Sequence, residues 1–324
     1  MRIVVTGSLA FDYIMDFPGY FRDHMLAEKA HMLSVSFLVD SMRKMRGGVA
    51  GNIAYNLALL GERPLMVGAA GHDFGDYRAW LERHGVDTSA VNIIEHEFTS
   101  SCFINTDRAN NQIVAFYTGA MSHDHFSSLV GLGLTSDDLV LISPTIPEAI
   151  ERFVTECQQM GIPYIFDPGK QTPRLALDQI AFGLRGARVL VSNDYELGML
   201  ARKLEIPEEE LIATVPLAVV TRGEHGSFIY AEGSLVATIP VAPVDEVVDP
   251  TGAGDAYLAG MTFGIARNLP LEVTGRIAAL TAAYAIERRG CQEHYFSREH
   301  FAERYCAAFG SELPADALGI AGAF

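Results

Sequence analysis

Val247-Val-Asp249-Pro-Thr-Gly-Ala-Gly-Asp255-Ala-Tyr-Leu-Ala-Gly-Met-Thr-Phe263 joins an extended segment to an amphipathic helix, expected over Gly254–Arg267, through a turn of small residues. Such residues let the backbone turn tightly and bring unpaired amides of the first helical turn close to a ligand. Those amides and the helix dipole favour an anion, including a phosphoryl group with developing charge. Asp255 falls in the same turn, where a carboxylate can take a proton from an attacking hydroxyl. Taken alone, the string also fits a plain glycine turn with Asp at a helix start, a common place for an acid.

Outward from this stretch, short apolar runs alternate with helical patterns. Candidate strands are Ile3–Gly7, Leu65–Gly68, Leu139–Ser143, Tyr164–Asp167, Val189–Ser192 and Leu217–Thr221. Candidate helices are Ala50–Leu60, Gly75–His84, Pro147–Met160, Asp194–Lys203 and Leu271–Arg288. This alternation predicts an α/β fold with a mostly parallel sheet covered by helices, and ligands at the carboxyl ends of its strands. Gly226–Tyr230 and Leu235–Pro240, around Glu232-Gly-Ser, read as a hairpin extending that sheet. Residues 13–46 and 91–119 break the rhythm. In the second, Ser101, Phe103 and Asn105, then Ile113, Ala115 and Tyr117, alternate around the turn Asp107-Arg-Ala-Asn-Asn111. The two regions are expected to form a small β-sheet lid inserted into a single domain spanning 1–324.

The bulk numbers bound the function. The 24 basic and 40 acidic residues give a formal charge of −16, which repels nucleic acid and anionic membranes at long range. An anionic ligand must then be held by a local device. No run approaches the roughly 18–20 apolar residues of a membrane span. Met1–Gly7 reads as a buried strand rather than a signal peptide. The four cysteines, Cys102, Cys157, Cys291 and Cys306, have no zinc spacing and read as reduced thiols, so a cytoplasmic protein is expected. There is no GxxxxGK[ST], and Gly7-Ser-Leu-Ala-Phe-Asp12 is not GxGxxG, which argues against a P-loop ATPase and a Rossmann dehydrogenase.

Asp249–Asp255 resembles the second signature, D-x-T-G-A-G-D, of the ribokinase-like (PfkB) family of carbohydrate and nucleoside kinases, with every fixed position present. Gly47-Gly48-Val-Ala-Gly-Asn52-Ile-Ala54, followed by Gly61 and Gly71, is similar to the family's first signature. The resemblance covers about Ile3 to Phe309. It implies a ribokinase-like three-layer α/β/α fold with a β-sheet lid, and ATP and Mg2+ as cofactors. It implies Asp255 as general base and the amides of Gly252, Ala253, Gly254 and Asp255 as the anion hole. Asp12, Gly47, Gly48 and Asn52 would hold the substrate's sugar hydroxyls.

On the nucleotide side, Asn193-Asp-Tyr-Glu196 resembles the family's N-x-x-E element, with Asn193 near the phosphates and Glu196 on magnesium through water. Taken alone, the pair is an ordinary N-cap with a first-turn acid. Thr221-Arg222-Gly223-Glu-His-Gly226 resembles a phosphate-facing turn, and Arg222 either contacts phosphate or points to solvent. Ala282, Ala283, Ile286 and Val244 are candidates for the adenine pocket, completed by the Gly290-Cys-Gln292 turn, although each fits plain core as well. In some relatives carbonyls near Asp249 and that turn also hold a monovalent cation such as K+.

Finer features resemble the archaeal-type nucleoside kinase branch: Ala10-Phe-Asp12-Tyr13, Asn110-Asn-Gln112-Ile113 with Phe116 and Gly119-Ala, Phe166-Asp-Pro-Gly169 and Gly290-Cys-Gln292. The match is weakest over Asp16–Lys44. Phe17, Phe21, Met25, Phe37, Phe103 and Phe116 offer apolar or aromatic surface on which a nucleobase could stack. The expected substrate is therefore a nucleoside. A ribokinase- or fructokinase-type sugar kinase and a non-catalytic nucleotide- or sugar-binding protein are the alternatives. Lid strands pair between subunits in relatives, so a homodimer through the lid is an expectation.

Overall fold

The computed structural model describes residues 1–25, 34–314 and 317–319. Among these, nine strands form one sheet and four form a second. The large sheet comprises β1 (Ile3–Thr6), β4 (Leu65–Gly71), β5 (Asp87–Ile94), β8 (Leu139–Ile142), β9 (Tyr164–Phe166), β10 (Val189–Asn193), β11 (Leu217–Thr221), β12 (Ser227–Ala231) and β13 (Ser234–Ile239). Their order is β13-β12-β11-β10-β9-β8-β1-β4-β5. All neighbours run parallel except the β11–β12–β13 hairpin, which extends the sheet as the sequence predicts. The chain leaves β1 for β4 on one side and later places β8 on the other. The carboxyl ends of β1 and β8 therefore flank the point where the winding reverses, the place where such sheets open a ligand crevice.

Alternate strand residues feed two separate cores. Ile3, Val5, Leu139, Leu141, Val189, Val191 and Val219 point to one face, and Val4, Val140, Ile142, Leu190, Ala218 and Val220 to the other. The first face is covered by α1 (Val49–Leu59), α2 (Gly75–Arg83), α7 (Ala253–Ala266), α8 (Leu271–Ile286) and α9 (Arg298–Phe309). The second is covered by α3 (Pro147–Met160), α4 (Leu177–Gly186), α5 (Asp194–Leu204) and α6 (Glu208–Ile212). This is the three-layer arrangement. Burial on both faces explains why these strands read as continuous apolar runs rather than alternating ones.

The helix after the glycine turn departs from its expected amphipathic character. From Ala256 to Ala266 every residue of α7 is buried. It packs against both α1 and α8, so it has no solvent face to carry charge. Gly260 and Gly264 allow the approach: a Cβ on either would come within 2.5 Å of Ala278 or Thr274.

The small sheet is the lid, ordered β3-β2-β6-β7 with β2 (Ala10–Asp16), β3 (Ser41–Gly47), β6 (Ser100–Thr106) and β7 (Gln112–Tyr117). The expected boundaries shift in two places. The first lid strand begins at Ala10, not Tyr13, and Val91–Ile94 pair with β4 in the large sheet. Residues 26–33 of the first lid region lie outside the described residues. Phe17, Phe21 and Phe37 pack on one another at the lid tip, with centroids 4.9–5.6 Å apart. Phe17 and Phe21 are buried there, so they are lid core and offer no open surface to a base.

Candidate active site

Both glycine motifs start helices at the carboxyl edge of the large sheet, but the two starts differ. At α1, the Val49 amide donates to Ser8 Oγ at 3.1 Å and the Ala50 amide to the Ser8 carbonyl at 3.0 Å. The loop after β1 thus caps this helix. Gly48 makes the fit possible: its φ is +85°, and a Cβ would lie 2.5 Å from the Ala10 nitrogen. At α7, no side chain caps the helix, and Gly252 takes φ +81° with its Cα face against Cys291. The Ala253 amide turns back to the Pro250 carbonyl at 3.3 Å. A helix start of this kind leaves the Gly254 and Asp255 amides without intrahelical acceptors. A Cβ on Gly254 would meet nothing within 4 Å, so this start opens onto free space. Of the two helix starts, only that of α7 leaves amides facing open space.

Asp249 fixes that turn from below. Its Oδ1 accepts from the Thr251 amide and its Oδ2 from the Gly290 amide, each at 3.0 Å. The amides of Val248 and Asp249 both donate to the Ile286 carbonyl, tying the turn to the end of α8.

Asp255 accepts a hydrogen bond from Asn52 Nδ2 at 2.7 Å, joining residues 203 positions apart. The orientation of that amide is dictated by a chain of partners. Tyr77 Oη donates to the Gly47 carbonyl at 2.9 Å, so it must accept from Gln292 Nε2, which lies 2.5 Å away. Gln292 Nε2 also donates to Asn52 Oδ1 at 2.9 Å. With its oxygen engaged as an acceptor, Asn52 can present only its NH2 to Asp255. A backbone carbonyl thus sets, through Tyr77 and Gln292, which face of Asn52 the carboxylate meets. Burial pushes Asp255 up to about 6, against the opposing pull of the Asn52 hydrogen bond and of Lys170.

Asp12 lies on lid strand β2, just beyond the carboxyl end of β1, and faces the same cleft. A Cβ on Gly47 would stand 2.5 Å from its Oδ2, so only glycine leaves room for this carboxylate. Burial also pushes Asp12 up to about 6, with Lys170 opposing and Asp249 reinforcing the rise. Burial raises Asp167 well above the usual carboxylate range, and Glu196 and Asp255 raise it further. Asp255 is also raised by Asp12 and Glu196, so Asp12, Asp167, Glu196 and Asp255 share one negative field.

On the nucleotide side, Asn193 and Glu196 form a reciprocal capping box. Asn193 Oδ1 accepts from the Glu196 amide at 2.7 Å, and Glu196 Oε2 accepts from the Asn193 amide at 3.1 Å. Asn193 Nδ2 and Glu196 Oε1 lie outside this box. Asn193 pairs with Thr221 across β10 and β11, so the two expected phosphate-side elements are neighbours. Gly223 and Gly226 both take positive φ, and a Cβ on Gly226 would strike the Ile239 carbonyl. Arg222 is exposed, and its guanidinium carbon lies 5.2 Å from the Phe228 ring centroid. Ala283 is 3% exposed and packs in the core. Ala282 and Ile286 keep partial exposure.

The lid register corrects another expectation. Asp12 pairs with Cys102, which pairs with Phe116, so these three share the cleft-facing side of the lid. Gln112 lies on that side too, paired with Thr106. Phe103 pairs with Tyr13 and stacks on it at 4.9 Å, on the opposite face. Phe103 is therefore turned away from Asp12, whereas Phe116, half exposed, is turned toward it.

Lys170, Tyr77 and Asp167 were not singled out as site residues from the sequence, and Gln292, expected to complete the adenine pocket, here bonds Asn52 and Tyr77. Lys170 and Asp167 follow β9 at the carboxyl edge, and that position was a usable signal. Tyr77 sits in the first turn of α2 with no local mark of its contacts.

The sequence pattern of the pfkB family of carbohydrate kinases matches residues 5–296. The chain belongs to that family. It is 30% identical to a nucleoside kinase of Methanothermobacter thermautotrophicus over 96% of this chain and 98% of that protein. The structure of the Burkholderia thailandensis nucleoside kinase with inosine superposes with a TM-score of 0.85 at 33% identity, covering 96% of this chain and 99% of the other. The same kinase in complex with ADP-inosine gives 0.82 at 34% identity, covering 96% and 97%. As a pfkB-family kinase, the chain is a phosphotransferase acting on an alcohol.

Proposed function

We propose that this kinase transfers the γ-phosphoryl group of ATP to the 5′-hydroxyl of a nucleoside. The observation that carries the reading is Asp255, held by an oriented Asn52 beside the uncapped start of α7. The substrate hydroxyl gives its proton to Asp255 as its oxygen bonds to the γ-phosphorus. The bond from that phosphorus to the bridging oxygen breaks, and ADP leaves with the electron pair. The Gly254 and Asp255 amides hold the equatorial oxygens as charge spreads over them. Asp12 accepts hydrogen bonds from the ribose hydroxyls, in the space that Gly47 leaves open. Phe116 offers a ring to the base, which favours a nucleoside over a bare sugar. Nucleoside kinases similar to this chain in length and fold support the same choice.

Magnesium fits the acidic field, with Glu196 Oε1 and Asp167 as the groups that would hold it through water and offset the phosphate charge. Asp249 spends both carboxylate oxygens on amides, so a K+ ion beside it would rest on backbone carbonyls alone. The lid's outer strand β7 is exposed along its whole length, which suits pairing with a second copy. Among the described residues no helix is long and apolar enough to cross a membrane.

The test is a panel of nucleosides and sugars with ATP and magnesium, read by ADP release. Turnover with nucleosides well above that with ribose or fructose supports the reading. A preference for free sugars assigns the chain to the ribokinase type. Ligand binding without ADP release from any acceptor overturns catalysis.

A further inference from the structure

Two segments connect lid strands β6 and β7 to the large sheet. One is the link from β5 to β6, residues 95–99, and the other is the 3-10 turn Gly119–Phe126 that follows β7. Among the described residues, one group of side chains has the composition and spacing to bind a metal: His96 and Glu97 on the first link and His123 on the second. Their donor atoms all lie within 4.8 Å of one another, and His123 Nε2 stands 3.6 Å from Glu97 Oε1. Ligands on a tetrahedral zinc ion, with bonds of about 2.0–2.2 Å, lie about 3.3–3.5 Å apart. The His123–Glu97 pair is already near that separation.

The carboxylate is oriented from behind. Tyr117, the last residue of β7, donates to Glu97 Oε2 at 2.5 Å and leaves Oε1 for the cluster. The backbone beneath is also fixed. The Glu97 carbonyl accepts from the His72 amide at 3.0 Å and contacts His72 Nδ1 at 2.7 Å, and the Ala120 amide donates to the Phe98 carbonyl at 2.9 Å. A ligating group with a hydrogen-bonded partner of this kind is the usual support of a protein metal site.

We propose that His96, Glu97 and His123 bind a divalent transition metal, with zinc as the best fit, and that the ion fastens the lid at its hinge. Two imidazoles and one carboxylate suit zinc, cobalt or nickel rather than magnesium, which takes oxygen ligands. The site is thus chemically distinct from the acidic field around Asp255. His96 is exposed, so water completes the coordination. Because the ligands come from both links, binding restrains β6 and β7 together, and with them Cys102 and Phe116 on the cleft-facing side.

The experiment uses the full chain without an affinity tag, stripped of metal by chelation and dialysis. Zinc is titrated by calorimetry and cobalt by its visible absorption. One equivalent with an intense tetrahedral cobalt spectrum is expected. His96→Ala, His123→Ala and Glu97→Gln should each weaken zinc binding by more than about tenfold, since loss of an outer partner alone costs about 10- to 100-fold. Tyr117→Phe should weaken it by about tenfold, and His225→Ala should leave it unchanged. Zinc should alter the KM for nucleoside in the wild type and not in His123→Ala. Absence of stoichiometric binding, or binding that His96→Ala and His123→Ala both leave within twofold, overturns the proposal. His96 is exposed, so its variant folds and keeps the test decisive.

Discussion

At the start of α7, Asp255 meets an amide whose orientation is set by Tyr77, Gln292 and a main-chain carbonyl. Across the cleft, Phe116 shows half its surface to solvent, and every residue of β7 around it is exposed. The floor holds its reactive groups by buried, mutually exclusive hydrogen bonds. The lid presents its groups from a four-stranded sheet whose outer strand is bare. Chemistry needs atoms held within fractions of an ångström, and only a packed network provides that. Recognition of a base needs an apolar face that can close after the ligand enters. Floor substitutions should therefore act on turnover, and lid substitutions on substrate affinity.

The largest expected effect comes from Asp255→Asn. It should lower kcat by about 10²–10⁴, the range that a positioned base contributes. Its melting temperature at pH 7.5 should not fall. Burial raises the Asp255 pKa, so its folded-state contribution to stability is greatest at low pH and is lost as pH rises through about 6. Near-normal turnover in this variant would remove Asp255 from the mechanism.

Gln292→Met probes whether the floor works through orientation. The variant keeps the side-chain volume but frees Asn52 to rotate, and a misplaced group can cost about 10²-fold in rate. A fall in kcat with KM nearly constant is expected. Should KM rise instead, Gln292 would belong to the ligand pocket, as its place in the Gly290–Gln292 turn first suggested.

The pH profile gives a smaller and more specific signal. The base must be ionised, so kcat/KM should fall as pH drops through about 6. Lys170 lowers both Asp12 and Asp255, and Lys170→Met should therefore move this acid limb to higher pH. A limb that stays fixed would show that Lys170 does not act on these carboxylates.

The smallest effects separate the two faces of the lid. Phe116→Ala should raise the nucleoside KM by about 5- to 100-fold, from a stacking contribution of about 1–3 kcal/mol. Phe103→Ala, on the opposite face, should change it by less than about twofold. The reverse order would mean that the lid closes with the other face inward.

Much of the floor was legible. Gly48 and Gly252 need positive φ, and both fall in glycine motifs that precede helices. Asp255 and Asn52 follow those motifs at fixed spacing. The lid was less so. Period-2 alternation placed Phe103 on one face of its strand but could not tell which face looks at the cleft. That choice depends on how β6 pairs with β2, and a one-residue change of register reverses it. Ala283 shows a similar limit, because an apolar helix residue looks the same beside a ligand as beside another helix.

The sequence by itself determined the layered α/β fold and the two helix starts, and it singled out Asp255 as the candidate base. These rest on local rules: strand and helix periods, glycine dihedrals and the chemistry of an acid at a helix start. Only the tertiary structure decided that the start of α1 is capped by Ser8 while that of α7 stays open. It alone brought Gln292 and Tyr77 to Asn52, and Lys170 to the field of Asp12 and Asp255. Such contacts join residues far apart in the chain, and no local pattern records which distant donor will meet a given acceptor. The hydrogen-bonding and charge of the site are fixed only when all its layers have packed.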